Sequence, residues 1–183
     1  EYVPPEGLVA AYGIPVSPMV LAVSAEAAAE TARDLGFPVV MKVASPDILH
    51  KSDVGGILLS LADEEEVRKA FETIMTRIQS ARPEARVIGV HLQNQLPAGQ
   101  EVIVGMLRDA QFGALLMFGS GGTEVEGLHD VAFALGPLTR GEAEDLIRRT
   151  WAGRKLDGYR NLPPANKSAV VEALVRLSHL AAE

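Results

Sequence analysis

Two short apolar runs joined by a polar loop are the feature that most constrains how this chain can fold. The stretch 35–59 reads LGFPVVMKVASPDILHKSDVGGILL. Its first apolar run, 38–41, leads directly to Lys42, and a second run, 57–61, follows a glycine pair. Short apolar runs bounded by proline, glycine and polar clusters are typical of strands. The sequence therefore predicts two strands joined by a loop, with a lysine held at the end of a buried strand.

The loop between the two runs carries groups that suit an anion. It contains His50 and Lys51 and closes on Gly55 and Gly56. A glycine has no Cβ, so the backbone N–H groups around it can approach an anion closely. The ordered combination with the strand lysine favours phosphate as the ligand. An ordinary hairpin with a solvated loop is the alternative, because each signal alone is weak.

Composition excludes several classes of protein. The chain has 183 residues, about half of them hydrophobic, which argues for a folded core and against general disorder. It has no cysteine, which excludes disulfides, thiolate metal sites and cysteine nucleophiles. The formal charge of -7 argues against nonspecific binding of nucleic acid. No apolar run approaches the roughly 20 residues of a membrane span and no signal peptide opens the chain, so we expect a cytoplasmic domain.

The remaining segments predict an α+β order of elements. Helices are predicted over 6–12, from a Ser24 cap to Gly36, from an Asp63 cap to Pro83, and over 141–151 and 165–182. Strands are predicted over 19–22, 87–93, 101–107, 114–118 and 131–135. Short turns between the later strands favour antiparallel pairing, and the order argues against a Rossmann or P-loop fold. The last helix is expected to bury Val170, Leu174 and Leu177.

Four stretches carry a family resemblance. They read AYGIPV at 11–16, LGFPVVMKVASPDILHKSDVGGI at 35–57, EVIVGMLRDAQFG at 101–113 and FGSGGTEVEGLHDVAFALGPL at 118–138. In this order they resemble the ATP-grasp portion of the ADP-forming (NDP-forming) acyl-CoA synthetases, the family of archaeal and bacterial acetate-CoA ligases. The HKSDVGG loop is the specific part of the match.

The resemblance implies a fold and a division into lobes. The expected structure is a two-lobed ATP-grasp fold of the α+β class over 1–183, truncated at its C-terminal end. The N-terminal lobe is expected at 1–92, with a phosphate-binding loop at 42–56, and the C-terminal lobe at 93–183. An adenine nucleotide, ATP or ADP, is expected between the lobes.

The resemblance also implies a set of nucleotide-binding residues. Lys42 is expected to contact the nucleotide phosphates, and the loop ending at Gly55 and Gly56 is expected to cover them. The hinge at 93–95 would contact adenine, largely through its backbone, and Glu101 would accept hydrogen bonds from the ribose. A plain charge at the start of an apolar strand is the alternative interpretation of Glu101. The implied residues are Lys42, Lys51, Gly55, Gly56, Gln93, Asn94, Gln95 and Glu101.

His50 is the implied catalytic residue. The family is thought to pass a phosphoryl group through histidines, one of them in this loop, because a neutral imidazole nitrogen can attack phosphorus and donate the group onward. A positioning or solvent-exposed loop histidine is the alternative. The other histidines are expected to be structural: His91 in a sheet, His129 paired locally with Asp130, and His179 on a helix surface.

Metal ligands are expected outside this sequence. The family places the Mg²⁺ ligands on a strand after the last helix, beyond residue 183, so we assign no metal ligand here. In particular, no metal role is assigned to Glu124, Glu126 or Asp130. The stretch 1–10 also lacks a lysine that many ATP-grasp proteins use to contact phosphate. The chain is thus expected to be an incomplete catalyst on its own.

The function implied is that of an acid-thiol ligase (ADP-forming) working as part of a larger protein. The chain would be its nucleotide-binding core, coupling acyl-CoA thioester formation or cleavage to ATP/ADP through a phosphohistidine relay. Its expected partner is the CoA-binding portion of the enzyme, fused or in a separate subunit, with no nucleic acid or membrane. One alternative is a regulatory synthetase-like domain of a GNAT-type protein lysine acetyltransferase. Another ATP-grasp carboxylate ligase is a third, against which the HKSDVGG loop argues.

Overall fold

The computed structural model describes residues 5–122 and 129–183, which divide into two compact units. The four-stranded unit comprises Ser17–Pro97, and the three-stranded unit joins the described residues up to Val16 to those from Ala98 onward. The segment before Ser17 therefore groups with the later part of the chain, whereas the sequence analysis places it in the N-terminal lobe. The lobes at 1–92 and 93–183 stay a prediction.

The helices and strands follow the predicted order with small shifts at their ends. The helices are α1 (Pro5–Ala11), α2 (Ala25–Leu35), α3 (Glu64–Ala81), α4 (Arg140–Arg148), α5 (Trp151–Lys155) and α6 (Lys167–Ala182). The strands are β1 (Val20–Ala22), β2 (Val39–Ala44), β3 (Ile57–Leu61), β4 (Gly89–Asn94), β5 (Val102–Asp109), β6 (Gly113–Ser120) and β7 (Val131–Leu135). Among the described helices, none is long and apolar enough to cross a membrane.

The two helices of the four-stranded unit begin at the predicted caps. The Ser24 side chain accepts a hydrogen bond from the N–H of Ala27 at 3.2 Å, and Gly36 ends α2 with a φ of 86°. The Asp63 carboxylate accepts from the N–H of Glu66 at 2.8 Å. These side chains satisfy backbone donors that the first helical turn leaves open, so the sequence defines where both helices begin.

The sheet of the four-stranded unit separates a core face from an open face. Its strands run antiparallel in the order β1-β4-β2-β3. Along β2, the side chains of Val39, Met41 and Val43 are completely buried and pack with α2 and α3. Because side chains alternate along a strand, Lys42 lies on the opposite face and is only half-buried. The helices thus cover one face of the sheet and leave Lys42 on the other.

The three-stranded unit packs helices against one face of an antiparallel sheet. Its strand order is β5-β6-β7, as the short turns predict. The core contains Leu116 and Phe118 from β6 together with residues from α4, α5 and α6. The predicted helix 141–151 is in fact two helices, α4 and α5, because Thr150 caps the second through the N–H of Gly153 at 3.0 Å.

The buried stripe of the last helix differs from the predicted one. The fully buried residues of α6 are Val171, Leu174, Ser178 and Ala181. All three predicted positions contact the core, with Leu174 fully buried and Val170 and Leu177 partly buried against it. The Ser178 hydroxyl accepts a hydrogen bond from the N–H of Leu138 at 2.9 Å and donates to the carbonyl of Val175. These two hydrogen bonds satisfy a polar side chain inside the core.

Candidate functional site

A cavity of about 500 Å³ opens on the uncovered face of the four-stranded sheet. Its polar lining consists of Lys42, Ser45, His50, Lys51, Ser52 and His91. None of its described lining residues is an aspartate or glutamate, and two of them are lysines. A cavity lined in this way attracts anions. The structure thus brings together Lys42, His50 and Lys51, three residues that the sequence analysis selects.

Lys42 is fixed in the floor of this cavity. It is paired with Ile57 of β3 and His91 of β4, so hydrogen-bonded strands flank it on both sides. Its Nζ donates a hydrogen bond to Oε1 of Gln93 at 3.0 Å. An ammonium held on a central strand loses little conformational freedom when it meets a ligand. The strand and Gln93 therefore preorganise this charge.

The base of the loop after β2 is anchored, whereas its tip is exposed. The Asp47 carboxylate accepts a hydrogen bond from the N–H of Arg86 at 2.7 Å, and the side chain of Ile48 is buried. The next side chain, Leu49, is 84% exposed, and His50 is exposed beside it. Among the described residues, none makes a hydrogen bond or ion pair with the His50 side chain. Its imidazole is therefore available to a reacting group.

The two glycines shape this loop through their backbone. The N–H of Gly55 donates to the carbonyl of Ser52 at 3.0 Å, and that of Gly56 donates to the carbonyl of Lys51 at 2.8 Å. Gly55 has a φ of 65°, which favours glycine. The glycine pair predicts N–H groups that face an anion, but in this conformation both groups donate hydrogen bonds inside the loop. The glycines instead allow the turn that brings Lys51 to the cavity.

The side chains of the predicted hinge serve to hold the backbone. Asn94 donates from Nδ2 to the carbonyls of Leu35 and Gly36 at 2.8 and 2.9 Å. Gln95 accepts at Oε1 from the N–H of Ser60 at 2.6 Å. Ser60 has a φ of 59° and lies where the β2–β3 register shifts, so Gln95 satisfies a backbone group that the irregular strand leaves open. Because these side chains already make hydrogen bonds within the protein, a ligand would contact mainly the backbone groups of this segment.

Glu101 lies in the three-stranded unit, just before β5. Its side chain is exposed, and its carbonyl accepts a hydrogen bond from the N–H of Gly121 at 3.0 Å. A Cβ on Gly122 would lie 2.6 Å from the Glu101 carboxylate, so the absence of a side chain there makes room for it. This places an exposed carboxylate next to a glycine-rich turn. Its contact with ribose stays a prediction.

Asp130 is a structural residue, but its partners are not the one predicted from the sequence. Its carboxylate accepts hydrogen bonds from the N–H groups of Trp151 and Ala152, both at 2.7 Å, and from the Ser120 hydroxyl at 2.8 Å. Partial burial would raise the pKa of this carboxyl, but these hydrogen bonds and the charge of Arg154 outweigh burial and lower it. The ionised form therefore ties β7 to the start of α5.

None of these partners is His129. That residue precedes β7 with a φ of 47°, and its side chain takes part in no described hydrogen bond, so the predicted local pair with Asp130 is not formed. His179 is exposed on α6, as predicted. In the described ranges, no group of three or more His, Cys, Asp or Glu side chains is placed to hold a metal ion. Glu124 and Glu126 lie outside those ranges.

Replacing Asp130 should destabilise the protein measurably. We expect Asp130→Asn to lower the free energy of unfolding by about 2 kcal/mol at pH 7, because an amide cannot accept all three hydrogen bonds. A carboxyl whose pKa is lowered by folding contributes stability above its unfolded-state pKa, about 4, and loses that contribution as the pH falls through the lower folded-state value. The free energies of unfolding of the two proteins, measured in urea, should therefore converge as the pH falls from about 4 through the lower folded-state pKa.

A matched control for this change is Asp157→Asn. Asp157 forms an exposed ion pair with Lys167 at 2.9 Å, and pairs of this kind contribute little. The control should change the free energy of unfolding by less than about 1 kcal/mol. An equally small effect of Asp130→Asn would contradict the structural role of Asp130.

A family model described as an ATP-grasp domain matches residues 5–183. The beta subunit of ADP-forming acetate-CoA ligase I from Pyrococcus furiosus is 44% identical over 172 residues, which cover 94% of this chain and 74% of that subunit. ADP-forming acetate-CoA ligase I from Archaeoglobus fulgidus is 45% identical over 170 residues, which cover 93% of this chain but 25% of the relative. The chain thus spans about three quarters of a beta subunit and a quarter of a single-chain ligase.

Solved structures agree with these matches. Acetyl-coenzyme A synthetase 1 of Candidatus Korarchaeum cryptofilum, solved with coenzyme A, Ca-AMPCP and HgCl+, has a TM-score of 0.90 at 43% identity and covers 94% of this chain and 76% of that one. The same synthetase was solved with coenzyme A and Mg-AMPPCP, its phosphohistidine segment pointing towards the nucleotide-binding site. That structure has a TM-score of 0.81 at 40% identity and covers 96% of this chain and 75% of that one. These findings confirm the predicted ATP-grasp fold, and the chain belongs to the ATP-grasp family of the ADP-forming acetate-CoA ligase beta subunits.

Proposed function

We propose that this chain is the nucleotide-binding core of an ADP-forming acyl-CoA synthetase, which couples acyl-CoA thioester formation or cleavage to ATP/ADP through a phosphohistidine relay. One observation carries the proposal. An exposed histidine, His50, shares a single cavity with Lys42 and Lys51. The relatives are ligases of this class, which supports assigning the same activity to the whole protein.

Lys42 and Lys51 would bind the phosphates in this cavity. A phosphoryl group carries its charge on peripheral oxygens, and catalysis of its transfer depends mainly on positioning and on compensating that charge. Lys42 supplies a charge from the rigid floor, and Lys51 supplies one from the loop. The cavity therefore offers two cations to the phosphoryl oxygens, one from the sheet and one from the loop.

His50 would be the group that carries the phosphoryl between partners. The lone pair of a neutral imidazole nitrogen forms a P–N bond while the bond from phosphorus to the leaving nitrogen or oxygen breaks. In the second step an ADP oxygen forms a P–O bond and the P–N bond breaks, which returns His50 to its starting state. The exposed loop tip suits this role, because a donor segment must reach the imidazole from outside.

The remaining contacts to the nucleotide complete the proposal. Adenine would meet the backbone of Gln93, Asn94 and Gln95, and the ribose hydroxyls would donate to Glu101. The loop of Gly55 and Gly56 would cover the phosphates. The engagement of the Asn94 and Gln95 side chains in structural hydrogen bonds favours backbone contacts.

We include Mg²⁺ and CoA in the proposed function because solved structures of a similar synthetase contain them or their analogues. The Korarchaeum synthetase was solved with Mg-AMPPCP and with Ca-AMPCP, in each case with coenzyme A. The described residues offer no cluster of three or more His, Cys, Asp or Glu side chains for a metal ion. The CoA-binding portion would be another part of the enzyme, fused or separate. A cytoplasmic location stays a prediction.

Substitution of Lys42 tests nucleotide binding. We expect Lys42→Ala to weaken the binding of ATP and ADP, each with Mg²⁺, by about ten- to a hundredfold, because charge-assisted contacts of this kind contribute about 1.5–3 kcal/mol. Isothermal titration calorimetry of the complete protein measures the change. Lys69→Ala is the matched control, since Lys69 is exposed on α3 and, within the described part of the chain, forms an ion pair with Glu65 alone.

The outcomes of this titration separate the candidate functions. Saturable binding that Lys42→Ala weakens and Lys69→Ala leaves unchanged supports the proposal. Equal affinities in all three proteins would remove Lys42 from the site, and an absence of ATP and ADP binding would overturn the proposed function. The alternative of a regulatory domain in a protein lysine acetyltransferase has no support from the ligase relatives.

A further inference from the structure

Leu49 is an apolar side chain at the exposed tip of the loop between β2 and β3. This loop contains three branched aliphatic residues, of which Ile48 is buried and Val54 packs against the core of the four-stranded unit. Leu49 is instead 84% exposed, although it lines the same cavity as Lys42 and His50. The fold therefore buries two of the three aliphatic side chains and leaves the third at the cavity.

The neighbour of Leu49 in the chain gives its exposure a meaning. A single exposed leucine needs no explanation by itself, because scattered apolar residues are normal on protein surfaces. Here the next residue is His50, whose side chain is exposed and makes no hydrogen bond or ion pair within the described residues. Consecutive Cα atoms are about 3.8 Å apart. A polypeptide that brings a reacting group to the imidazole therefore comes within reach of Leu49.

The adenine ring does not account for an apolar residue at this position. In the proposed function adenine meets the backbone at 93–95, and the register pairs Asn94 with Val39 at the start of β2. The loop that carries Leu49 leaves the opposite end of the strand, after Ala44. A strand rises about 3.3 Å per residue, so these two ends are roughly 16 Å apart. This separation favours a contact between Leu49 and a group other than adenine.

The phosphates do not account for this leucine either. Charged oxygens are served by Lys42 and Lys51, whereas an aliphatic side chain gains only when other apolar groups cover it. The group that meets this loop tip must therefore combine a phosphoryl group with apolar surface. The proposed relay supplies such a group, because the residue that exchanges the phosphoryl group with His50 is carried on a segment of polypeptide.

We propose that Leu49 is a docking residue for the segment of the CoA-binding portion that exchanges the phosphoryl group with His50, and that it packs against an apolar side chain next to the phosphorylated residue of that segment. The inference rests on the proposed function, because it requires the relay through His50. Burial of one leucine side chain strengthens an association about ten- to a hundredfold. Leu49 thereby holds the incoming phosphoryl group beside the imidazole without contacting the nucleotide.

Two partial reactions of the complete enzyme separate docking from nucleotide binding. Exchange of labelled ADP into ATP, without acid and CoA, requires only phosphoryl transfer between the nucleotide and His50. Release of label from the phosphorylated enzyme, freed of nucleotide and then given acid and CoA, requires the incoming segment as well. We expect Leu49→Ser to slow this release about tenfold in a single turnover, and to leave the exchange rate and the ATP affinity unchanged.

Matched variants separate an apolar contact from an effect on the shape of the loop. Leu49→Met keeps an apolar side chain of similar volume and should release label within about twofold of the wild-type rate. Leu49→Asn is close to leucine in shape but polar, so it should be as slow as Leu49→Ser. Val23→Ser is the control, because Val23 is 67% exposed and is not among the described lining residues of the cavity. It should change neither partial reaction.

The fold of these variants is checked by urea unfolding. Because Leu49 is exposed, Leu49→Ser and Leu49→Asn should unfold at the same urea concentration as the wild type. If one of them is unfolded at the assay temperature, the other carries the test. A Leu49→Met enzyme as slow as Leu49→Ser would overturn the apolar contact.

The failure of this inference is distinguishable from failure of the proposed function. Wild-type release of label in Leu49→Ser, in an enzyme whose ATP binding Lys42→Ala still weakens, overturns the docking role alone. An equal loss of exchange and release would place Leu49 in the nucleotide reaction and would likewise overturn the docking role. An enzyme with Leu49 intact that neither binds ATP nor exchanges label overturns both proposals.

Discussion

Replacing His50 by alanine should reduce turnover of the complete enzyme about a thousandfold or more, while ATP affinity changes little. A residue that forms a covalent intermediate has no substitute in the site, so its loss removes the reaction path and not merely a contact. The His50 side chain makes no hydrogen bond or ion pair within the described residues, so its removal should not disturb the fold. ATP-dependent acyl-CoA formation measures turnover, and incubation with labelled ATP detects the phosphohistidine.

The control for this change is His179→Ala. His179 is an exposed histidine on α6, and its removal should change neither turnover nor labelling. Unchanged turnover in His50→Ala would exclude the phosphohistidine role and leave the histidine as a positioning residue of the loop. Lost turnover with retained ATP binding would place the defect in phosphoryl transfer.

Local signals in the sequence define the four-stranded unit well. Ser24, Gly36 and Asp63 act through contacts a few residues away. Both ends of α2 and the start of α3 can therefore be predicted from the local sequence alone. The apolar run 38–41 likewise predicts the buried strand that holds Lys42. Each of these features depends on residues that are close in sequence, which is why the prediction matches the structure.

Tertiary contacts explain the errors in the three-stranded unit. The predicted helix 141–151 breaks because Thr150 caps a new helix whose first N–H groups bind Asp130, about twenty residues earlier in the chain. The last helix is apolar on several sides, so its periodicity does not fix the buried face. Ser178 lies in the core because its hydroxyl bonds Leu138 of a distant segment. No local sequence pattern indicates partners that are so distant in the chain.

In the candidate site, too, the local sequence predicts some residues, and tertiary contacts bring in others. Lys42, His50 and Lys51 belong to one contiguous motif, and the structure brings them to one cavity. His91 enters that cavity through strand pairing between β2 and β4, which the sequence does not reveal. The use of the Gly55 and Gly56 N–H groups within the loop is likewise a matter of backbone conformation, and a glycine pair alone does not indicate it.

Gly56→Ala should be among the most damaging single substitutions in the phosphate-binding loop. A Cβ at this position would lie 2.6 Å from Cγ1 of Val43 and 3.0 Å from the carbonyl oxygen of Lys51. Val43 is completely buried and has a stiff β-branched side chain, so the loop must move away from the strand. We expect the free energy of unfolding to fall by about 2–3 kcal/mol, the range of an overpacked core, with loss of ATP binding as Lys51 is displaced.

Two companion variants show whether the steric clash is the cause. Gly141→Ala places a methyl group on α4 where, apart from its chain neighbours and the adjacent helix backbone, no described heavy atom lies within 4 Å, so it should leave stability unchanged or raise it by up to about 1 kcal/mol. Val43→Ala removes the clashing methyl group, so it should destabilise the protein less in the Gly56→Ala background than in the wild type, with a coupling of about 1 kcal/mol in urea unfolding. Strict additivity of the two changes would contradict this close contact. A coupling of the expected sign would mean that Gly56 is required because the loop must pass directly against the core strand that fixes Lys42.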